Sequence, residues 1–132
     1  MPALEALPGL RVVATPEALD GARWEGADVL VLRFAPDDAF AAGARTVQLE
    51  DDHAIVEPEA GFVGAWLTAE ALRDEVVPRI EWPLPGHRPA LAQGTIAGVP
   101  AKLWLTSDPD GADRALLVTL AAYAAELEGR LR

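Results

Sequence analysis

Apolar runs near the start of the chain predict two strands that flank a short helix. Leu10–Thr15 is a β-branched run, and Ala27–Phe34 is almost continuously apolar, as in a central strand buried on both faces. Pro16 follows the first run, which favours a short helix to about Gly21 with Thr15 as its N-cap. A strand, a helix and a strand in succession predict a parallel pair of strands.

The middle of the chain predicts two helices and another strand. Pro36–Ala42 opens with proline and two acids, which favours a helix of one or two turns that ends at Gly43. Gly61–Leu67 is an apolar strand candidate, and Thr68 then caps an amphipathic helix that Pro78 stops. We expect this helix to pack on the sheet.

The last third of the chain predicts a hairpin followed by a long helix. Ala90–Ile96 and Pro100–Thr106 flank a glycine-containing turn. Beyond them, the segment Asp-Pro-Asp resembles a helix start, and the helix reaches about Arg130. Its apolar stripe comprises Ala112, Leu116, Leu120, Tyr123, Leu127 and Leu131. An alternative makes Ala115–Leu120 a strand after a turn at Asp108–Gly111, and the sequence leaves this choice open.

Together these elements predict an α+β fold. The sheet is mixed, with a parallel strand–helix–strand portion and a C-terminal hairpin, and helices, including the long C-terminal one, pack on it. A length of 132 residues fits a single globular domain over residues 1–132. No apolar stretch is long enough to span a membrane, and the start, MPALEALPGL, has no basic residue before its apolar part. We therefore expect a cytoplasmic protein.

The composition is poor in the residues on which catalysis depends. Cysteine is absent, which excludes disulfides, thiolate metal sites and a catalytic thiol. The one serine, Ser107, lies in Thr-Ser-Asp-Pro, a sequence typical of a cap or turn. Neither nucleotide-binding glycine motif occurs, and we expect no cofactor. Asparagine is absent and arginine far outnumbers lysine, which is typical of a thermophile or of a G+C-rich genome.

The charge of the chain is strongly negative and uneven. The net charge is −10, and residues 1–59 carry twelve acidic and four basic side chains. Such a surface repels phosphate backbones and anionic lipids, so we expect neither nucleic-acid binding nor membrane docking. The acidity is typical of a well-solvated surface, and the alternative is a face for a basic partner.

One acidic turn is a candidate metal site. Glu50–His53 separates two short alternating runs, and in an extended chain Asp51, His53 and Glu57 would point to one face. Carboxylate and imidazole groups suit a divalent cation. Consecutive acids beside a histidine are also the ordinary composition of a solvated turn.

A proline-rich connection is a candidate ligand site. Glu81–Pro89 contains Trp82, His87 and Arg88 and lies where basic residues outnumber acidic ones. Arginine offers a planar fork for a carboxylate or phosphate, and histidine titrates near neutral pH. The alternative is a stiff crossover that buries Trp82.

These observations predict a small acidic protein without catalytic motifs. The leading hypothesis is a non-enzymatic module that self-associates or binds a protein partner, and strand edges that need cover favour a homodimer. The alternative is a small-molecule-binding or metal-dependent enzyme with a site around His87 and Arg88.

Overall fold

A computed structural model describes every residue from Met1 to Arg132, and antiparallel strands dominate it. The strands are β1 (Glu5–Ala6), β2 (Gly9–Val13), β3 (Arg23–Ala35), β4 (Asp38–Gln48), β5 (Ile55–Glu59), β6 (Phe62–Thr68), β7 (Ala90–Ile96), β8 (Val99–Ser107) and β9 (Asp113–Leu120). The helices are α1 (Pro16–Asp20), α2 (Ala69–Ala71) and α3 (Ala124–Arg130). A π turn (Leu72–Val76) and a 3₁₀ turn (Val77–Arg79) extend α2, and a 3₁₀ turn (Ala121–Tyr123) precedes α3.

The predicted α+β class is therefore wrong. Strands contain 51% of the residues and short helices only 20%, and both sheets are antiparallel. The chain forms two compact units, one of Leu7–Gly61 and one of Met1–Ala6 with Phe62–Arg132. We call them the four-stranded unit and the five-stranded unit. No helix is long and apolar enough to span a membrane.

The four-stranded unit has the strand order β3-β4-β2-β5. Its apolar core includes Leu10 and Val12 of β2 and Leu19 of α1. Thr15 caps α1 as the sequence predicted, since its Oγ1 accepts a hydrogen bond of 3.2 Å from the backbone N–H of Ala18.

The predicted parallel pair is wrong because β4 lies between β2 and β3. Both strands pair with β4 in antiparallel register. The segment predicted as a helix at Pro36–Ala42 instead supplies a two-residue turn, Pro36–Asp37, and the start of β4. The apolar run Ala27–Phe34 lies in β3, at an edge of the sheet and not at its centre. Proline and acids at a helix start and in a tight turn give the same local signal, and strand pairing decides between them.

Arg11 of β2 contacts side chains of the other three strands of the four-stranded unit. Its Nε and Nη2 donate to the two carboxylate oxygens of Asp38 at 2.7 and 2.8 Å, and Nη1 lies 3.6 Å from Glu59 Oε1. Its guanidinium lies over the Phe34 ring, 4.9 Å from the centroid. The hydrogen bond to Asp38 is the main cause that raises the pKa of Arg11. The charged groups of Arg11, Asp38 and Glu59 are therefore engaged in contacts within this unit.

The five-stranded unit has the order β1-β6-β9-β8-β7. One face carries the apolar core, which Leu72, Val76, Leu127 and Leu131 from the helical segments cover. The hairpin of β7 and β8 matches the sequence prediction. Its two turn residues both have positive φ, which is why a glycine stands at the second position.

The predicted long C-terminal helix is wrong, and the alternative strand reading is right. β9 pairs with β6 on one side and with β8 on the other. Ala115–Thr119 is buried at every position, as expected for a central strand, whereas an amphipathic helix would expose part of the run. Helical structure begins only after Leu120, and of the predicted stripe Leu127 and Leu131 are buried on the core.

Two leucines of β9 distinguish the strand from the helix. Leu117 is 0% exposed and Leu120 is 43% exposed, whereas the predicted helix would bury Leu120. We expect Leu117→Ala to lower the free energy of unfolding by about 2–5 kcal/mol because it leaves a cavity in the core. Leu120→Ala should lower it by less than about 1 kcal/mol. Urea unfolding of both variants measures this, and a larger loss for Leu120→Ala would contradict the strand.

Candidate functional site

A cleft in the five-stranded unit combines an aromatic ring, a guanidinium and carboxylates. Its volume is about 470 Å³, within the range of small-molecule sites. We call it the Trp66 cleft. It is lined by Trp66, Leu67, Thr68, Ala69, Glu70, Asp108, Ala112, Asp113 and Arg114.

The pairing of β6 with β9 places the two main side chains of the cleft together. Trp66 pairs with Leu116, and Thr68 pairs with Arg114. Residues two apart on a strand share a face, so Arg114 lies diagonally across from Trp66 on the same face of the sheet. The two side chains can therefore meet without distortion of either strand.

Arg114 is held against the indole and keeps its hydrogen-bond donors free. Its guanidinium carbon lies 4.0 Å from the centroid of the Trp66 ring, a cation–π contact. Its Nε lies 3.8 Å from Asp108 Oδ1, too far for a hydrogen bond. The side chain makes no hydrogen bond, and 44% of it is exposed. The stacked ring restricts the orientation of this planar fork, and Arg114 belongs to the lining of the cleft.

The turn between β8 and β9 brings two acids to the cleft. Asp108 N–H donates to Ala112 O at 2.8 Å, and Gly111, with a φ of +90°, donates to Asp108 O at 2.8 Å. This closed turn fixes Asp108 and Asp113 beside Arg114. Asp113 is already paired, because its Oδ1 lies 3.3 Å from Arg88 Nε.

The third acid of the cleft is Glu70, at the start of α2. Thr68 caps this helix, since its Oγ1 accepts a hydrogen bond of 3.1 Å from the Ala71 N–H. Glu70 is exposed and has neither a hydrogen bond nor a salt bridge. The carboxylate of Glu70 is therefore available to a ligand.

A second cleft of about 470 Å³ lies in the four-stranded unit. It is lined by Glu17, Ala18, Gly21, Arg23, Gln48, Leu49 and Glu50. Arg23 is exposed there, but no aromatic ring belongs to the lining. Its guanidinium has no aromatic ring of the lining to stack on, so a ligand would have to order it. We therefore favour the Trp66 cleft and use Arg23 as a matched control below.

The structure assigns structural contacts to two of the three residues predicted in the proline-rich connection. Trp82 Nε1 donates to Thr95 O at 2.9 Å, and its ring lies so close to Gly94 that a Cβ there would come within 2.8 Å of Nε1. Arg88 donates to two local carbonyls and pairs with Asp113. His87 is exposed. Arg88 thus adjoins the Trp66 cleft through Asp113, and Trp82 packs on the core.

The residues predicted as metal ligands lie in and after the turn that leads to β5. Asp51 accepts hydrogen bonds of 2.9 Å from the backbone N–H groups of Thr15 and His53. Glu57 lies on β5, opposite Arg11. No group of three His, Cys, Asp or Glu side chains is arranged to hold a metal ion. The contacts of Asp51 give this turn a structural role, because they tie it to the cap of α1.

Comparisons of the chain with protein-family models, curated proteins and solved structures find no match. The functional case therefore depends on the cleft itself. The sequence interpretation missed Trp66 and Arg114, since it placed Arg114 in a helix. The available signal was a tryptophan on the strand face opposite Leu67.

The contacts of Asp51 predict how stability depends on pH. The hydrogen bond from Thr15, and then that from His53, lowers the pKa of Asp51. A lowered pKa means that the ionised carboxylate stabilises the fold at neutral pH, and this stabilisation is lost in acid as the pH falls below about 4. We expect Asp51→Asn to destabilise the protein at pH 7. It should also reduce the fall in the free energy of unfolding as the pH is lowered into the acid range. Urea unfolding across pH measures this, with exposed Asp52→Asn as control. Equal effects of the two substitutions would contradict it.

Proposed function

We propose that the protein is a binding module for a small carboxylate ligand, and that the Trp66 cleft is its site. The observation that carries the proposal is the Arg114 guanidinium, which is stacked on an exposed indole and has no hydrogen bond. Such a fork matches a carboxylate with two parallel hydrogen bonds. Because the stacking already restricts the side chain, less ordering entropy is lost on binding.

The acids of the cleft restrict the charge of the ligand. The lining that contains Arg114 also contains three carboxylates, those of Glu70, Asp108 and Asp113. They repel a doubly charged phosphate more strongly than a singly charged carboxylate. Trp66 is 40% exposed, and the uncovered part of its ring suits an apolar group beside that carboxylate.

A pair of isosteric ligands tests this proposal. We expect 4-methylpentanoate to bind in the millimolar range and 4-methylpentanamide, which lacks the charge, to bind more weakly. Arg114→Gln should weaken carboxylate binding by about tenfold or more, because charge-assisted hydrogen bonds contribute about 1.5–3 kcal/mol. Calorimetry measures the affinity for each ligand.

Arg23→Gln is the matched control, since it removes the same charge from the other cleft. It should leave the affinity unchanged. If Arg23→Gln weakens binding as much as Arg114→Gln does, or if wild type prefers the amide, the Trp66 cleft is not a carboxylate site.

A second candidate function is self-association through β5. The other strand at an edge of the four-stranded sheet, β3, has three irregularities in its register, whereas β5 pairs with β2 without interruption. Ile55 and Val56 of β5 are 56% and 43% exposed, and Val13 beside them is 40% exposed. The exposed apolar start of β5 favours strand pairing between copies and so supports a homodimer, whereas Pro58 near its end has no N–H to donate.

An antiparallel pair of β5 strands centred on Val56 avoids opposed like charges. Val56 would face Val56 of the copy, and Ile55 would face Glu57 of the copy. A five-residue edge buries less area than a stable interface needs, so the association should be weak. The acidity of the chain opposes it further, and added salt should strengthen it.

Two lysine substitutions test this register. Val56→Lys would oppose two lysines and should abolish dimers. Ile55→Lys would place a lysine opposite Glu57 and should preserve or strengthen them. Sedimentation equilibrium at millimolar concentration measures both. A wild-type monomer throughout, or equal loss in the two variants, would contradict self-association through β5.

A further inference from the structure

We infer that the ligand of the Trp66 cleft is a zwitterion, with an ammonium group beside its carboxylate as in a free α-amino acid. This inference rests on the proposed function and adds the class of ligand. It comes from the distribution of charge around Arg114, which a simple carboxylate leaves unbalanced.

Two of the three acids of the cleft lie within 4 Å of an arginine nitrogen, and the third does not. Asp113 is paired with Arg88 at 3.3 Å, and Asp108 is the acid closest to Arg114, at 3.8 Å. Glu70, at the start of α2, is thus the acid of the lining without a salt bridge. Arg73, the basic residue that it attracts, donates its hydrogen bonds to Asp74.

A ligand that carries only a carboxylate would bring a second uncompensated negative charge into this cleft. An ammonium group on the same ligand removes that repulsion and can pair with Glu70. Because Glu70 and Arg114 belong to the same lining, one small molecule can present its two charged groups to them. The cleft volume of about 470 Å³ accommodates an amino acid.

The side chain of the amino acid would lie against the indole. Trp66 offers the only aromatic surface of the lining, and Ala69 and Ala112 add small apolar groups near it. Apolar side chains are therefore expected to bind better than charged ones.

Three probes that share the 3-methylbutyl group test the inference by calorimetry. L-leucine carries both charged groups, 4-methylpentanoate lacks the ammonium group, and 3-methylbutylamine lacks the carboxylate. We expect L-leucine to bind about two- to fivefold more tightly than 4-methylpentanoate, as for an exposed ion pair. The amine should also bind more weakly than L-leucine, because it does not use the Arg114 fork.

Glu70→Gln gives effects of opposite sign for two of the probes. It should weaken the binding of L-leucine and leave unchanged, or tighten, that of 4-methylpentanoate. Glu81→Gln, at another exposed acid of the same unit, should change neither. Circular dichroism confirms that both variants fold.

The outcomes separate this inference from the proposed function. Suppose that L-leucine and 4-methylpentanoate both bind through Arg114 but L-leucine binds no more tightly. The inference of a zwitterionic ligand is then overturned, and the carboxylate site remains. A preference for L-leucine that survives in Glu70→Gln also overturns it. If neither probe binds, or if Arg114→Gln binds both like wild type, the proposed function itself is wrong.

Discussion

The pairing of β9 between β6 and β8 is the constraint on which the five-stranded unit depends. It buries Leu116, Leu117 and Val118 at the centre of the sheet and closes the turn at residues 108–112. The same register brings Arg114 to Trp66. A helix at this position would separate the two side chains and remove the cleft. The fold and the candidate site therefore depend on one set of backbone hydrogen bonds.

The sequence predicts correctly the helix caps and the hairpin turn, which depend on interactions between neighbouring residues. The caps at Thr15 and Thr68 are confirmed because a threonine hydroxyl satisfies a helix N–H a few residues away. The β7–β8 hairpin is confirmed because its turn requires residues with positive φ. In each case the information lies within a few neighbouring residues.

Elements that depend on distant pairing could not be predicted in this way. The apolar spacing of residues 112–131 fits a helical stripe as well as it fits a strand followed by a short helix. Residues 113–120 form a strand because β6 and β8 present backbone N–H and C=O groups that pair with β9 on its two sides. Likewise, Pro36–Asp37 is a turn because β4 pairs with β3. The Trp66 cleft was missed for the same reason, since its lining comes from residues about forty positions apart.

The prediction of a ligand site near Arg88 came close to the cleft without identifying it. Arg88 was singled out for its guanidinium, and the structure uses that group to pair with Asp113, while Trp82 covers Gly94. Composition located a basic region but could not show which arginine is stacked on an aromatic ring with its donors free. That property depends on hydrogen-bond partners, and these belong to the folded chain.

The central claim is that Trp66 holds the Arg114 guanidinium in place before any ligand arrives. Proton NMR of the ligand-free protein tests it most directly, through the δ-methylene protons of Arg114. Stacking on the indole predicts that the ring current shifts these protons upfield and that they show nuclear Overhauser contacts to the Trp66 ring. Random-coil shifts without such contacts would contradict the account, because the side chain would then be mobile and the site would not be preformed.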